Sequence, residues 1–204
     1  GSPFTSTPIG FDSGNFGGDG QYAFYVRAHD VAGNYEAAPA SPDAQTQIDA
    51  SAPNAPATAS LAQFMAGSSV LLSWNSQAAT GAIEYKAEMS TTNDFAATTS
   101  QSAWLTTTSF NFNALDDGTT YWFRVKCRDA AQNESPYAAV QTTTLDDTAP
   151  ASTVAPLPPV ITALTFPVAW NGNDATSGVA SVDLYYAKDG GAYTVYAGGP
   201  WASS

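Results

Sequence analysis

The sequence predicts an all-β chain built from sandwich domains in tandem, and three observations carry that prediction. In LDDGTTYWFRVKCRDAAQNES (115–135), Tyr121, Phe123, Val125 and Cys127 alternate with Trp122, Arg124, Lys126 and Arg128, the period of a strand with one buried face. No window of eleven or more residues keeps apolar residues at helical spacing. The stretch IDASAP (48–53) recurs as LDDTAP (145–150), 97 positions on, as linkers between repeated units do.

The elements follow in order. A short strand is expected around residues 8–11, then the loop DSGNFGGDG, then an alternating strand at 22–29 that copies 121–128, a turn, and a last strand ending near Ile48. Between the linkers, strands are expected near 69–74, 83–89, 104–113, 121–128 and 138–144, about 95 residues in all, the size at which seven strands in two sheets close a core. After the second linker FPVAW (166–170) copies VLLSW (70–74), followed by strands at 182–186 and 193–196 around the Asp189-Gly-Gly turn. The division is therefore a half-sandwich of late strands at 1–48, a complete sandwich at 52–146, and a half-sandwich of early strands at 149–204.

Composition bounds the setting. Eighteen Asp and Glu against six Lys and Arg give a net charge of −12, so no basic stripe for nucleic acid can be assembled, while divalent cations are compatible partners. Charged residues make up only 12% of the chain, and a surface of Ser, Thr, Asn and Gln suits an exported protein. No segment approaches the 18 or so apolar residues of a membrane span. Gly1-Ser2 reads as a cut site or cloning scar, and the chain is expected to be a piece of a larger precursor. The single cysteine, Cys127, falls on the inward phase and reads as a small hydrophobe.

Pro53 in the linker, Trp74 of LLSW, and Leu115 placed six residues before Tyr121 together resemble the fibronectin type III superfamily and its bacterial Ig-like relatives in large surface or secreted proteins. The Leu115 and Tyr121 pair resembles the tyrosine corner, in which the phenol reaches a backbone group across the sheet-to-sheet connection. The resemblance implies a tandem Ig-like sandwich fold and an extracellular or cell-surface location, and it implies no catalytic activity.

His29 is the only histidine, on the outward phase, and no GxSxG, HExxH, CxxC or phosphate-binding loop occurs, so no enzyme is expected. Calcium is the sharper expectation: Asp116, Asp117, Asp146, Asp147, Asn173 and Asp174 would gather at the second junction, joined by Asp30 and Asn34 of another copy. The same Asp and Asn residues are also good turn formers. Trp104, Trp122, Tyr25 and Trp201 are candidates for stacking on sugars of a cell-surface glycan, or for cross-strand packing alone. The expected function is a structural spacer, stalk or filament subunit, joined head-to-tail to other copies or to further repeats of the same array by completing the split sandwich. The alternative is an adhesive or carbohydrate-binding accessory module of a larger secreted enzyme.

Overall fold

The computed structural model describes residues 8–96 and 98–202. In the first unit the Asp12 carboxylate accepts the Gly14 N–H at 3.0 Å and caps a single 3-10 turn, Ser13–Phe16. Strand β1 (Gly20–Phe24) pairs antiparallel with β2 (Ala44–Ile48), Tyr22 opposite Thr46. The strand expected at 8–11 is not formed. There Phe11 instead packs its ring on Phe16, Tyr22 and Phe24, with centroids 5.0 to 5.3 Å apart.

The central unit contains β3 (Phe64–Met65), β4 (Ser69–Ser73), β5 (Glu84–Ser90), β6 (Thr98–Gln101), β7 (Ser109–Asn113), β8 (Thr120–Arg128) and β9 (Gln141–Leu145). One sheet has the order β3-β9-β8-β5-β6, with β3 parallel to β9, and the other pairs β4 with β7. The long strand expected at 104–113 divides: only Ser109–Asn113 pairs with β4, while Leu105 forms an isolated bridge to Tyr85 and β6 appears as an additional edge. Alternation places Val70, Leu72, Tyr85, Ala87, Tyr121, Phe123, Val125 and Cys127 inward, where they form one core with Trp74 and Phe112. Each large side chain contributes roughly 1.5–3 kcal/mol on full burial. Burial also holds the Cys127 thiol above its usual pKa, as expected of an inert core residue.

The outward face of β8 departs from the expectation of a solvated row. Arg124 donates to Glu88 at 2.7 and 2.9 Å and lies 4.0 Å over Phe95 and 3.8 Å over Tyr137. Arg128 donates to Glu84 at 2.8 Å and lies 4.2 Å over Trp104, while Lys126 pairs with Glu134. Register causes this, because β5 sets Glu84 opposite Arg128 and Glu88 opposite Arg124.

The third unit has three two-stranded ladders: β10 (Ala151–Val154) with β11 (Trp170–Asn173), β12 (Ser181–Val182) with β15 (Trp201–Ala202), and β13 (Tyr185–Tyr186) with β14 (Thr194–Val195). The strand expected at 182–186 is thus two short pieces, and pairing in the FPVAW copy begins only at Trp170. Every buried residue among those described lies within 53–145, so the outer units contribute none.

Candidate functional site

Two places outside the central core bring chemistry-bearing side chains together: the junctions and an open cleft. At the second junction Asp117 lies in the turn before β8, and its carboxylate accepts the Asp147 N–H at 2.7 Å and the Thr148 hydroxyl at 2.5 Å. At the first junction Asp19, in the turn before β1, accepts the Ala50 N–H at 2.8 Å and is bonded by the Ser51 hydroxyl. The two are one device, since residues 147 and 148 stand 97 positions after 50 and 51. An Asp-Gly turn before β1 and before β8 clamps the linker that leaves the same unit. The hydroxyl of Thr148, then the Asp147 N–H, hold Asp117 below the usual carboxylate pKa, as Ser51 and Ala50 do for Asp19.

Each linker is also tied forward. Asn133 Nδ2 donates to the Asp49 carbonyl at 3.0 Å, and the Ser177 N–H donates to Asp146 at 3.0 Å and Asp174 at 2.8 Å. Asp174 also accepts the Thr176 and Gly178 N–H groups at 3.1 and 2.9 Å, which hold it below its ordinary pKa, Gly178 most of all.

The structure therefore brings Asp117, Asp146, Asp147 and Asp174 of the calcium candidates to one junction, where their oxygens face N–H and O–H donors. Asp147 accepts from Gly67 at 3.2 Å; Asp116 contributes its N–H to Tyr121, and Asn173 pairs with Ala151 in the β10–β11 ladder. Asp30 and Asn34 bond each other in the first unit, the Asn34 N–H and Nδ2 reaching Asp30 at 2.8 and 2.7 Å. Among the described residues no three His, Cys, Asp or Glu side chains are grouped as metal ligands. Asp19 was missed in the sequence; its signal was the Asp-Gly turn paired with a Ser or Thr in the repeated linker. Of the sugar-stacking candidates, Trp104 has Arg128 against its ring, Trp201 stacks on Tyr196 with centroids 6.2 Å apart, and Tyr25 is exposed.

The cleft, about 750 Å³, lies in the third unit between Phe166, Val168 and Trp170 on one side and Val182, Leu184 and Tyr186 on the other. Bridges identify its walls. The Thr58 to Trp74 bridge recurs 96 positions later as Val154 to Trp170, and the Tyr85 to Leu105 bridge recurs as Val182 to Trp201. Phe166, Val168 and Trp170 thus stand where Val70, Leu72 and Trp74 stand in the central unit, and Val182, Leu184 and Tyr186 where Tyr85, Ala87 and Met89 stand. The first unit matches the other part of the sandwich: the Arg128 to Glu134 bridge recurs 99 positions earlier as His29 to Tyr35. Gln132, at φ 71°, corresponds there to Gly33 at φ 92°, so the turn needs a left-handed residue in both copies.

In the central unit the Asp116 N–H donates to Tyr121 Oη at 2.9 Å, closing the corner between the β4–β7 sheet and the sheet of β8. The central unit has the fibronectin type III fold.

No protein-family model matches the chain. Exoglucanase B of Cellulomonas fimi is 30% identical over 196 residues, covering 89% of this chain and 17% of that protein, so the chain spans about one sixth of the length of this relative. Among solved structures, FN3tt has a TM-score of 0.38 at 16% identity, covering 48% of this chain and 99% of that one. A Fn3-like protein from Clostridium thermocellum has 0.35 at 19% identity, covering 48% and 96%. A beta-1,2-glucanase from Parabacteroides distasonis has 0.38 at 17% identity, covering 50% and 15%. No helix among the described residues is long and apolar enough to cross a membrane.

Proposed function

We propose that this chain is a non-catalytic structural segment of an extracellular protein, a spacer or stalk of fibronectin type III repeats that can serve as a filament unit where its outer half-sandwiches are completed by neighbouring units. The observation that carries this reading is the carboxylate clamp found at both junctions, Asp19 on Ala50 and Ser51, Asp117 on Asp147 and Thr148. A clamp of that kind holds the exit linker to the unit it leaves, and the Asn133 and Ser177 contacts hold each linker to the unit it enters. Such a junction transmits orientation from one unit to the next, which is what a spacer requires and a loose tether does not supply. The likeness to Exoglucanase B along most of this chain supports a place in a larger secreted, carbohydrate-acting polypeptide whose chemistry lies elsewhere in it.

Backbone 15N relaxation tests the junction. The central unit and residues 170–186 are expected to share one rotational correlation time, and Asp117→Ala to shorten that of residues 170–186 alone. Independent tumbling of the two in the unaltered chain overturns the reading.

A further inference from the structure

We infer that Glu134 and Tyr137, on the loop between β8 and β9, are positioning residues of the first junction: clasped onto Lys126 and Arg124, they hold the turn from which Asn133 reaches the entering linker at Asp49. The inference rests on the spacer reading above and names what sets the stiffness of one of its joints.

The tie itself is a single side chain. Asn133 Nδ2 has two hydrogens, and it donates one to the Asp49 carbonyl at 3.0 Å and the other to Asp129 Oδ2 at 3.0 Å. The Asn133 N–H donates to Asp129 Oδ1 at 2.9 Å, so Asp129 orients both groups of this residue. Asp129 is buried and Asp49 is exposed, which makes the turn the fixed party and the linker the guest. Whatever moves this turn moves the linker.

Beyond Asn133 the loop runs back along β8. Glu134 forms a bridge to Arg128, the Ser135 N–H donates to the Cys127 carbonyl at 2.8 Å, and the Ala138 N–H donates to that of Val125 at 2.8 Å. On the outer side Glu134 pairs with Lys126, and Tyr137 Oη donates to Glu88 at 2.8 Å. The Tyr137 ring lies 3.8 Å from the Arg124 guanidinium and 5.2 Å from Lys126 Nζ. Burial acts to lower the Lys126 pKa, but Glu134 and Tyr137 outweigh it and hold the group above the ordinary lysine value, so the clasp keeps its charge. Register leaves Lys126 available for this role. Arg124 and Arg128 face Glu88 and Glu84 across β5, whereas Lys126 faces Lys86. A lysine set opposite a lysine gains by turning to a third element, and the loop it meets carries Asn133.

The first unit repeats the contact with other chemistry. Arg27 and Tyr35 hold the places of Lys126 and Glu134, and the Arg27 guanidinium lies 5.6 Å from the Tyr35 ring. The Asn34 turn beside them is folded as the Asn133 turn is, its N–H and Nδ2 both on Asp30. An attraction between these two positions is kept while the residues that make it change, as a positional requirement demands and an incidental surface ion pair does not.

The test uses the full chain and reads the joint by backbone 15N relaxation, with residues 20–48 reporting on the first unit. In the unaltered chain these share the correlation time of the central unit. Glu134→Ala is expected to shorten theirs about two-fold, as is Asn133→Ala, while residues 170–186 keep theirs. Adding Glu134→Ala to Asn133→Ala changes nothing further, because the clasp acts only through the tie. Glu134→Tyr, which sets a ring against Lys126 as Tyr35 sets one against Arg27, restores shared tumbling. An unchanged correlation time in Glu134→Ala, or a further shortening in the double variant, overturns the inference and leaves the spacer reading standing. Independent tumbling of residues 20–48 in the unaltered chain overturns both. The central unit's melting transition is expected to stay in place in every variant; a fall that tracks the shortening assigns the effect to lost stability and overturns the positioning role.

Discussion

Val125 and Val26 hold the same place in two copies of one strand, yet Val125 is 0% exposed and Val26 71%. The local sequence does not account for this: DGQYAFYVRAHD and DGTTYWFRVKCRD share their turn, their aromatic pair and their alternation. What differs is the neighbours. β8 runs nine residues because β9 pairs with its first part and β5 with its last, whereas β1 runs five, paired among the described residues with the β9 equivalent, β2, alone. Alternation in a sequence specifies which face is apolar; the length of the strand and the depth of its burial are set by the strands beside it.

The largest expected break in that comparison is at the aromatic pair. Phe123→Ala should lower the unfolding free energy of the central unit by about 3–5 kcal/mol in a urea titration, since the ring is wholly enclosed and leaves a cavity. At concentrations where the chain is monomeric, Phe24→Ala should cost less than about 1 kcal/mol, because the half-buried ring loses little area. A comparable loss at both would show that β1 is already buried in the free chain. Next comes the corner. Tyr121→Phe leaves the Asp116 N–H without its acceptor and should cost about 1 kcal/mol. Tyr22→Phe, which removes a 2.6 Å bond to the Gly18 carbonyl in a half-buried site, should cost less, since water replaces the lost partner.

The smallest effect is acid dependence at the clamps, and its sign follows from the lowered pKa of Asp19 and Asp117. Their contribution is complete above the ordinary aspartate pKa of about 3.9 and is lost as pH falls through the lower folded values. The amide protons of Ala50 and Asp147 should therefore shift with midpoints below that of a free aspartate; a midpoint at or above it in either junction breaks the equivalence of the two clamps.

Much of the fold was legible because its signals are local: the alternation at 121–128, the repeated linkers, the Leu115 and Tyr121 spacing, and the copied VLLSW and FPVAW. The rest depends on register. Glu84 and Glu88 cover Arg128 and Arg124 only because β5 pairs with β8 in one particular offset, which no local period discloses. The strand expected at 22–29 was half formed for want of its second neighbour, and the strand expected at 8–11 gave way to ring packing around Phe11. At the junction the acidic residues were legible as a group. Their partners, backbone N–H groups and the Ser51 and Thr148 hydroxyls, required the turns before β1 and β8 to be set beside the linkers.

The covered outer face of β8 has a consequence for how copies meet. Three of the chain's six cationic side chains, Arg124, Lys126 and Arg128, are matched there to Glu88, Glu134 and Glu84 within one unit. Only Arg27, Lys86 and Lys188 remain to offset the other fifteen carboxylates. Approaching copies therefore repel over distances comparable to the screening length, about 30 Å at 0.01 M salt and about 8 Å at 0.15 M. Added salt shortens the range of that repulsion, so the solution behaviour of this acidic chain is set by ionic strength more than that of a charge-balanced one.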